Sequence, residues 1–220
     1  MKFFKFLLIL SCTFYFTSCA SSYQHINPED LTYNSQKIEK EGVSLEYKYD
    51  LLPKKYAKKE RKSDIRLVAF GIQNNTDRQL ILGRDFKLAF ENGGNALVLS
   101  REKTFQELKQ QGAWHLLYLL LTPVNVQTYS DDGRFTSTTN YPIGLILGPG
   151  IAGYNMLRAG SANKRFKKDL ETYDLTDKTI NPGEEKFGLV GIRADGYDSL
   201  KINYIGNTDT LEENEDTDVK

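Results

Sequence analysis

Two apolar runs in the middle of the chain set the tightest limit on its fold. Ala113–Leu121 reads AWHLLYLLL and Pro142–Ile151 reads PIGLILGPGI. Neither is long enough to cross a bilayer. Ala113 to Val124 extends about 18 Å as a helix, at roughly 1.5 Å per residue. Ile143 to Leu157 extends about 22 Å by the same rise, with Pro149 inside it. A hydrocarbon core is about 30 Å thick. Two arrangements remain open. The runs pack on each other and on the rest of the protein as a buried layer, or they form an apolar arm that touches lipid or a partner. Gly144, Gly148, Gly150, Gly153 and Ala159 permit close backbone approach in either case. The side chains that would make an outward contact are Trp114, Leu117, Leu120, Leu145, Ile146 and Leu147.

The surroundings of these runs are readable. Arg101–Gln111 has a helical pattern that Gly112 ends. Val124–Tyr141 is polar, with Asp132-Gly133 at its centre as a hairpin signal. Asn155, Ala159, Ala162, Phe166, Leu170 and Tyr173 are spaced 4, 3, 4, 4 and 3 apart. That spacing predicts one face of a helix from about Ile151 to Tyr173, with Lys164, Lys167 and Lys168 on other faces.

On both sides the pattern changes to short alternating runs closed by turn residues. Val43–Tyr49, Asp64–Gln73, Gln79–Leu82, Phe86–Phe90 and Leu97–Leu99 precede the middle, and Lys186–Arg193 and Leu200–Tyr204 follow it. Asn74-Asn75-Thr76-Asp77, Asn92-Gly93-Gly94, Asn181-Pro182-Gly183 and Asp195-Gly196 are the turns. Gly71 reads as a bulge within its strand. The expected fold is α+β: an antiparallel β-sandwich of immunoglobulin-like pattern over 43–205, with an apolar helical and hairpin insertion at 101–176. Lys54, Lys55, Lys58, Lys59, Arg61 and Lys62 read as a basic solvated loop, with a patch for anionic lipid or polysaccharide as the other reading. Residues 19–42 read as a polar tether, and 206–220 as a disordered acidic tail.

The first residues have the layout of an export signal. Lys2 and Lys5 precede the apolar run Phe6–Phe16, and Phe16-Thr17-Ser18-Cys19 follows. These last four residues resemble the lipobox of bacterial lipoproteins, with Phe16 where Leu is usual and Ser18 where Gly or Ala is usual. The resemblance implies a signal peptide over 1–18 and acylation of Cys19 through a thioether. Ala20 stands where an inner-membrane retention signal would place Asp, which favours the outer membrane. Cys12 lies inside the apolar run and lacks that flank. An acylated Cys19 leaves no second cysteine for a disulfide.

Composition excludes several function classes. The chain has 29 basic and 29 acidic residues, two His and two Cys. It lacks the basic excess of a dedicated nucleic-acid binder and the residues of a Cys/His zinc site. His115, next to Trp114, reads as a core residue, and His25 as an exposed residue of the tether. Gly-x-Ser-x-Gly is missing, and Ser161 reads as a small residue on a packed helix. Asp131-Asp132 and Glu184-Glu185 read as solvated turn carboxylates. Asp195-Gly196-Tyr197-Asp198 has too few ligands for a calcium loop. Gly148-Pro149-Gly150 lacks the Lys-Ser/Thr of a phosphate loop. No catalytic residue, cofactor or metal is expected.

Asn74-Asn-Thr-Asp77, Gly83-Arg-Asp-Phe86, the Tyr141–Gly150 segment, Ala159-Gly-Ser-Ala-Asn-Lys164 and Asn181-Pro-Gly-Glu-Glu185 together resemble a group of uncharacterised bacterial lipoproteins. That resemblance implies a cell-envelope location and carries no activity. The expectation is a non-enzymatic, lipid-anchored envelope protein that binds or assembles with a protein or glycan partner. The alternative is a membrane-active module whose apolar insertion contacts the bilayer.

Overall fold

In the computed structural model, residues 20–33, 37–131 and 136–205 are described; for Ser130, Asp131, Thr136 and Ser137 this is the backbone alone. The chain divides into two units. Unit 1 takes 20–24 and 109–166 of the described residues, and unit 2 takes 25–108 and 167–205. The predicted insertion at 101–176 is therefore wider than the unit itself.

Unit 2 is built on the alternating runs. β1 (Ile38–Lys40), β2 (Val43–Lys48), β3 (Ile65–Asn74), β4 (Leu80–Ile81), β5 (Phe86–Phe90) and β6 (Leu97–Leu99) come first, and β9 (Thr179–Ile180), β10 (Glu185–Arg193) and β11 (Leu200–Tyr204) close the chain. β1, β2, β3, β10 and β6 form one antiparallel sheet in that order. β5 pairs with β11, and β4 with β9. Every strand pairing is antiparallel, one isolated parallel bridge between Leu82 and Phe86 aside, and no closed barrel forms among the described residues. Glu41 and Gly42, both at positive φ, make the two-residue turn between β1 and β2 that matches strand twist.

Alternation decides what each face buries. Val43, Leu45, Val68, Phe70, Ile72, Val190 and Ile192 point to one side of the large sheet. They share a core with Phe86, Leu88, Leu200 and Ile202 of the β5–β11 pair and with Leu80 and Ile180 of the β4–β9 pair. The other side carries Leu67, Ala69 and Gly191 and meets two helices, α1 (Lys54–Ser63) and α2 (Arg101–Leu108). A Cβ on Gly191 would stand 2.3 Å from Thr104 Oγ1, so α2 reaches the sheet because this residue has no side chain. Asn74 closes the sheet end. It donates to the Arg78 and Ile180 carbonyls and accepts from the Thr76 N–H, as the turn cluster predicts.

Three expectations are corrected in this unit. The basic stretch 54–62 is a helix, α1, ended by Asp64 at φ 50°. Its buried residues are Tyr56 and Glu60, one helical turn apart. Gly71 is not a bulge: β3 and β10 stay in register from Ile65↔Arg193 to Gln73↔Glu185. A Cβ at residue 71 would lie 2.7 Å from the Phe187 ring, so glycine makes room for that side chain. Residues 25–33 are not a free tether. Ile26 N–H donates to Asp169 Oδ2 at 2.9 Å, Tyr173 Oη donates to Asn27, and Pro28–Asp30 forms a 3₁₀ turn. His25 keeps a mostly exposed ring, but its Nδ1 lies 2.5 Å from Asp169 Oδ1.

Unit 1 contains a 3₁₀ segment at Gly112–Leu121, the hairpin of β7 (Val126–Asp131) and β8 (Thr136–Tyr141), and most of helix α3 (Gly144–Thr172). The hairpin strands stand where Asp132-Gly133 predicts a turn, although that dipeptide lies outside the described residues. α3 begins earlier than the expected Ile151 and carries Pro149 inside it. Of its predicted face, Asn155, Ala159, Ala162, Phe166 and Leu170 are buried, whereas Tyr173 is half-buried and lies just past the helix end at Thr172. Ser161, expected on a packed face, is exposed. Residues 20–24 again depart from the tether expectation. Ala20 N–H donates to Asn155 Oδ1 and Ser21 N–H to Gln110 Oε1, each at 2.9 Å, and the Tyr23 ring lies 5.4 Å from that of Phe166. Cys19, the signal segment 1–18 and the tail 206–220 lie outside the described residues.

Candidate functional site: an apolar surface on unit 1

The 3₁₀ segment and the first half of α3 meet backbone to backbone. A Cβ on Gly144 would sit 2.2 Å from the Leu121 carbonyl oxygen and 2.5 Å from that of Thr122. A Cβ on Gly148 would stand 2.8 Å from Thr122 Oγ1 and 3.1 Å from the Tyr118 carbonyl oxygen. At Gly144 only a hydrogen fits, because the neighbours are backbone; at Gly148 a methyl would displace the Thr122 hydroxyl and press on the backbone. At the other end, Gly112 faces the Ala159 methyl. The two elements thus lie side by side with glycine and alanine between them.

This packing has a cost in exposed apolar surface. Contacts made through glycine leave the large side chains of both elements no partner in the seam, so they turn outward. Trp114 is 66% exposed, Leu117 55%, Leu120 74%, Leu145 59%, Ile146 77% and Leu147 45%. All six side chains that the sequence nominates for outward contact are on the surface. Leu116, Leu119, Val124, Val126, Tyr129, Tyr141, Tyr154, Met156 and Leu157 join them. Leu157 and Tyr154 were not nominated, yet both stand on the side of α3 away from its buried Asn155–Ala159–Ala162 face. The opposite side of that predicted face was the available signal. His115 and Tyr118 turn inward and stack with rings 6.1 Å apart. His115 is buried, as a core residue is.

Charge is nearly missing from the same region. Between Gly112 and Leu157 the charged residues are Asp131, Asp132 and Arg134 alone. Soluble monomers rarely leave contiguous apolar patches larger than a few hundred Å². Removing one Leu or Ile side chain from water is worth about 1.5–3 kcal/mol. No helix among the described residues is long and apolar enough to cross a membrane.

Unit 2 offers no comparable chemistry. Glu184 accepts from the Asn181 N–H at 2.7 Å, which lowers its pKa, and it pairs with Lys186. Glu185 pairs with Lys37 at 3.5 Å. Both carboxylates are turn and strand fittings. The Asp195 carbonyl accepts from Arg66, whose guanidinium lies 5.2 Å from the Tyr197 ring, and the Asp198 carbonyl accepts from Tyr49 Oη. A cleft lined by Arg101, Thr104, Asp174, Thr176 and Gly191 has about 20 Å³ of usable space, room for water only. Among the described residues no group of three or more His, Cys, Asp or Glu is placed to hold a metal. Glu60 has the most displaced carboxyl pKa. Burial pushes it up to about 7, against the opposing pull of the Leu67 N–H and Arg66. It is a helix-to-strand fastener, with Leu67 N–H donating to its Oε1 at 2.8 Å. Asp132 and the side chain of Asp131 lie outside the described residues.

No family model, curated protein or solved structure matches the chain, so the fold and the surface stand on their own geometry.

Proposed function

We infer that this chain is a lipid-anchored protein of the bacterial cell envelope, non-enzymatic, whose unit 1 rests in the outer leaflet or inner leaflet of the membrane that holds its anchor. The observation that carries this reading is the position of Ala20. Its N–H is bonded to Asn155 Oδ1 and its side chain is buried in unit 1. Cys19, the residue whose thiol the lipobox resemblance marks for acylation, is covalently next to it. An acyl anchor there ties unit 1 to the membrane from the side of α3 that bonds Ala20, while Tyr154, Met156 and Leu157 are exposed on the other sides of the same helix. One bilayer would then receive both the acyl chains and the apolar surface. The polar β7–β8 hairpin joins α3 just before Gly144, so α3 is read as lying along the membrane interface with its outward apolar face toward lipid, not as entering end first.

Unit 2 is read as a separate β-rich domain of the same protein. A core shared between the large sheet and the β5–β11 and β4–β9 pairs supports describing it as a β-sandwich. The immunoglobulin-like label rests on the strand pattern alone.

Vesicle flotation tests the reading without the anchor. A chain beginning at residue 20 keeps every described residue and lacks the leader and the acylated thiol. It should float with phosphatidylcholine vesicles, and Leu120→Glu or Leu145→Glu should reduce the floating fraction at least tenfold with no change in circular dichroism. A parent chain that stays at the bottom of the gradient, or variants that float as well as the parent, would overturn the reading.

A further inference from the structure

Along its outward side, α3 changes chemistry at one point. Ile146, Gly150, Gly153, Leu157, Ser161, Lys164 and Lys168 are 4, 3, 4, 4, 3 and 4 residues apart, which keeps them on one face. All seven are exposed. The buried set Gly144, Gly148, Asn155, Ala159, Ala162 and Phe166 occupies the opposite face. The outward face is apolar or neutral as far as Ser161 and cationic from Lys164. Arg158 and Arg165 flank it, with Arg158 held beside Tyr154 Oη at 3.3 Å and Arg165 beside Ser161 Oγ at 3.3 Å. No carboxylate lies within ion-pair distance of Lys164, Arg165 or Lys168 among the described residues. Lys167 is different, since it reaches Glu171 at 3.7 Å.

The spacing suits a membrane boundary. Lys164 lies seven residues past Leu157, about 10 Å farther along the helix. The headgroup layer is about 5–8 Å thick on each side of the hydrocarbon. Lysine and arginine lay their methylene stems along apolar surface and lift the charge into water. About 10 Å along the axis exceeds that layer for an upright helix, so α3 lies along the interface, where the change from apolar to cationic on its outward face sets Arg158, Lys164 and Arg165 among headgroups.

Building on the membrane reading above, we propose that the cationic half of α3 binds anionic phospholipid headgroups, with Lys164 and Arg165 as its principal contacts. The apolar half supplies insertion and the cationic half selects the lipid. Anionic membrane surface attracts each nearby Lys or Arg with a gain of about fivefold in binding, and salt screens that gain.

Flotation of the chain beginning at residue 20 on two vesicle types separates the two ideas. Phosphatidylcholine vesicles read insertion. Vesicles that also contain phosphatidylglycerol read headgroup selection. The parent should bind the second type at least tenfold more tightly at low salt. Lys164→Gln and Arg165→Gln should each lose about fivefold of that preference, with binding to phosphatidylcholine unchanged. Equal binding of the parent to both vesicle types, or a preference that survives in the double variant K164Q/R165Q, would overturn the lipid selection and leave insertion standing. Binding to neither vesicle type would overturn both.

Discussion

The two units of this chain solve the burial problem in opposite ways. Unit 2 places large side chains between layers. Phe70, Phe86, Leu88, Ile192 and Ile202 lose all or nearly all contact with water there. Its exposed large apolar side chains among the described residues are Leu97, Val98, Tyr197 and Ile205. Unit 1 places small residues in its seam, Gly144 and Gly148 against the carbonyls of residues 118–122, and sends its Leu, Ile and Trp side chains outward. The first arrangement is complete in water. The second leaves an apolar face open to water. Hydrophobicity of a segment therefore does not say where the segment sits; the residue type chosen for the seam does.

The comparison can be broken most severely in the layered core. Phe70→Ala should cost about 3–5 kcal/mol, the range for a buried aromatic deleted from a packed core. Leu120→Ala removes a side chain that is 74% exposed and should stay within about 0.5 kcal/mol. Urea unfolding of the two variants checks the contrast, and equal losses would mean that Leu120 is packed.

Glu60 gives the next largest effect, on the order of 3 kcal/mol. Its carboxyl holds a proton more tightly in the folded state, up to about pH 7, than in the unfolded chain, where the ordinary value is 4.5. The sign follows: this contribution is fully present below about pH 4.5 and is lost as pH rises toward 7. Arg66, Arg61 and Asp50 are the charges that act on it. Glu60→Gln keeps an acceptor for the Leu67 N–H and should flatten that part of the pH profile of stability. An unchanged slope in urea midpoints across this range would show that the carboxyl titrates as an exposed one does.

Gly144→Ala should cost about 1–3 kcal/mol, because the added methyl meets backbone oxygen rather than a movable side chain. Gly150→Ala adds the same methyl where nothing lies within 4 Å and should be neutral or slightly stabilising. Amide exchange at residues 113–121 should rise in the first variant alone. Faster exchange in both would place Gly150 in a packed seam as well.

How much of this was legible in the sequence depends on the kind of contact. The strands of unit 2 were readable because alternation and turn residues are local signals, and each aligned run found its partner in register. The buried face of α3 was readable for the same reason, at period 3.6. Helix α1 was hidden because one of its two inward residues is Glu60, so no apolar stripe marks the helix among its lysines. The anchoring of 20–33 was hidden because its bonds are polar and distant: Ala20 to Asn155, Ser21 to Gln110, Ile26 to Asp169. Nothing within that polar segment announces such partners. For the apolar runs, the glycines showed that close approach was allowed, but not that the approach would be made through Gly144 and Gly148 while Gly150 and Gly153 stayed open. That choice sets which side chains face out, and it needed the structure.

Trp114 offers the most direct test of the central claim, that the outward apolar face of unit 1 enters lipid. It is the chain's one tryptophan and is 66% exposed. The measurement is its fluorescence, with phosphatidylcholine vesicles whose acyl chains carry bromine, in the chain beginning at residue 20. Burial in the leaflet predicts a blue shift, strong quenching by the brominated chains and protection from acrylamide. Emission that stays at its aqueous wavelength, unquenched by bromine and still open to acrylamide, would contradict the account.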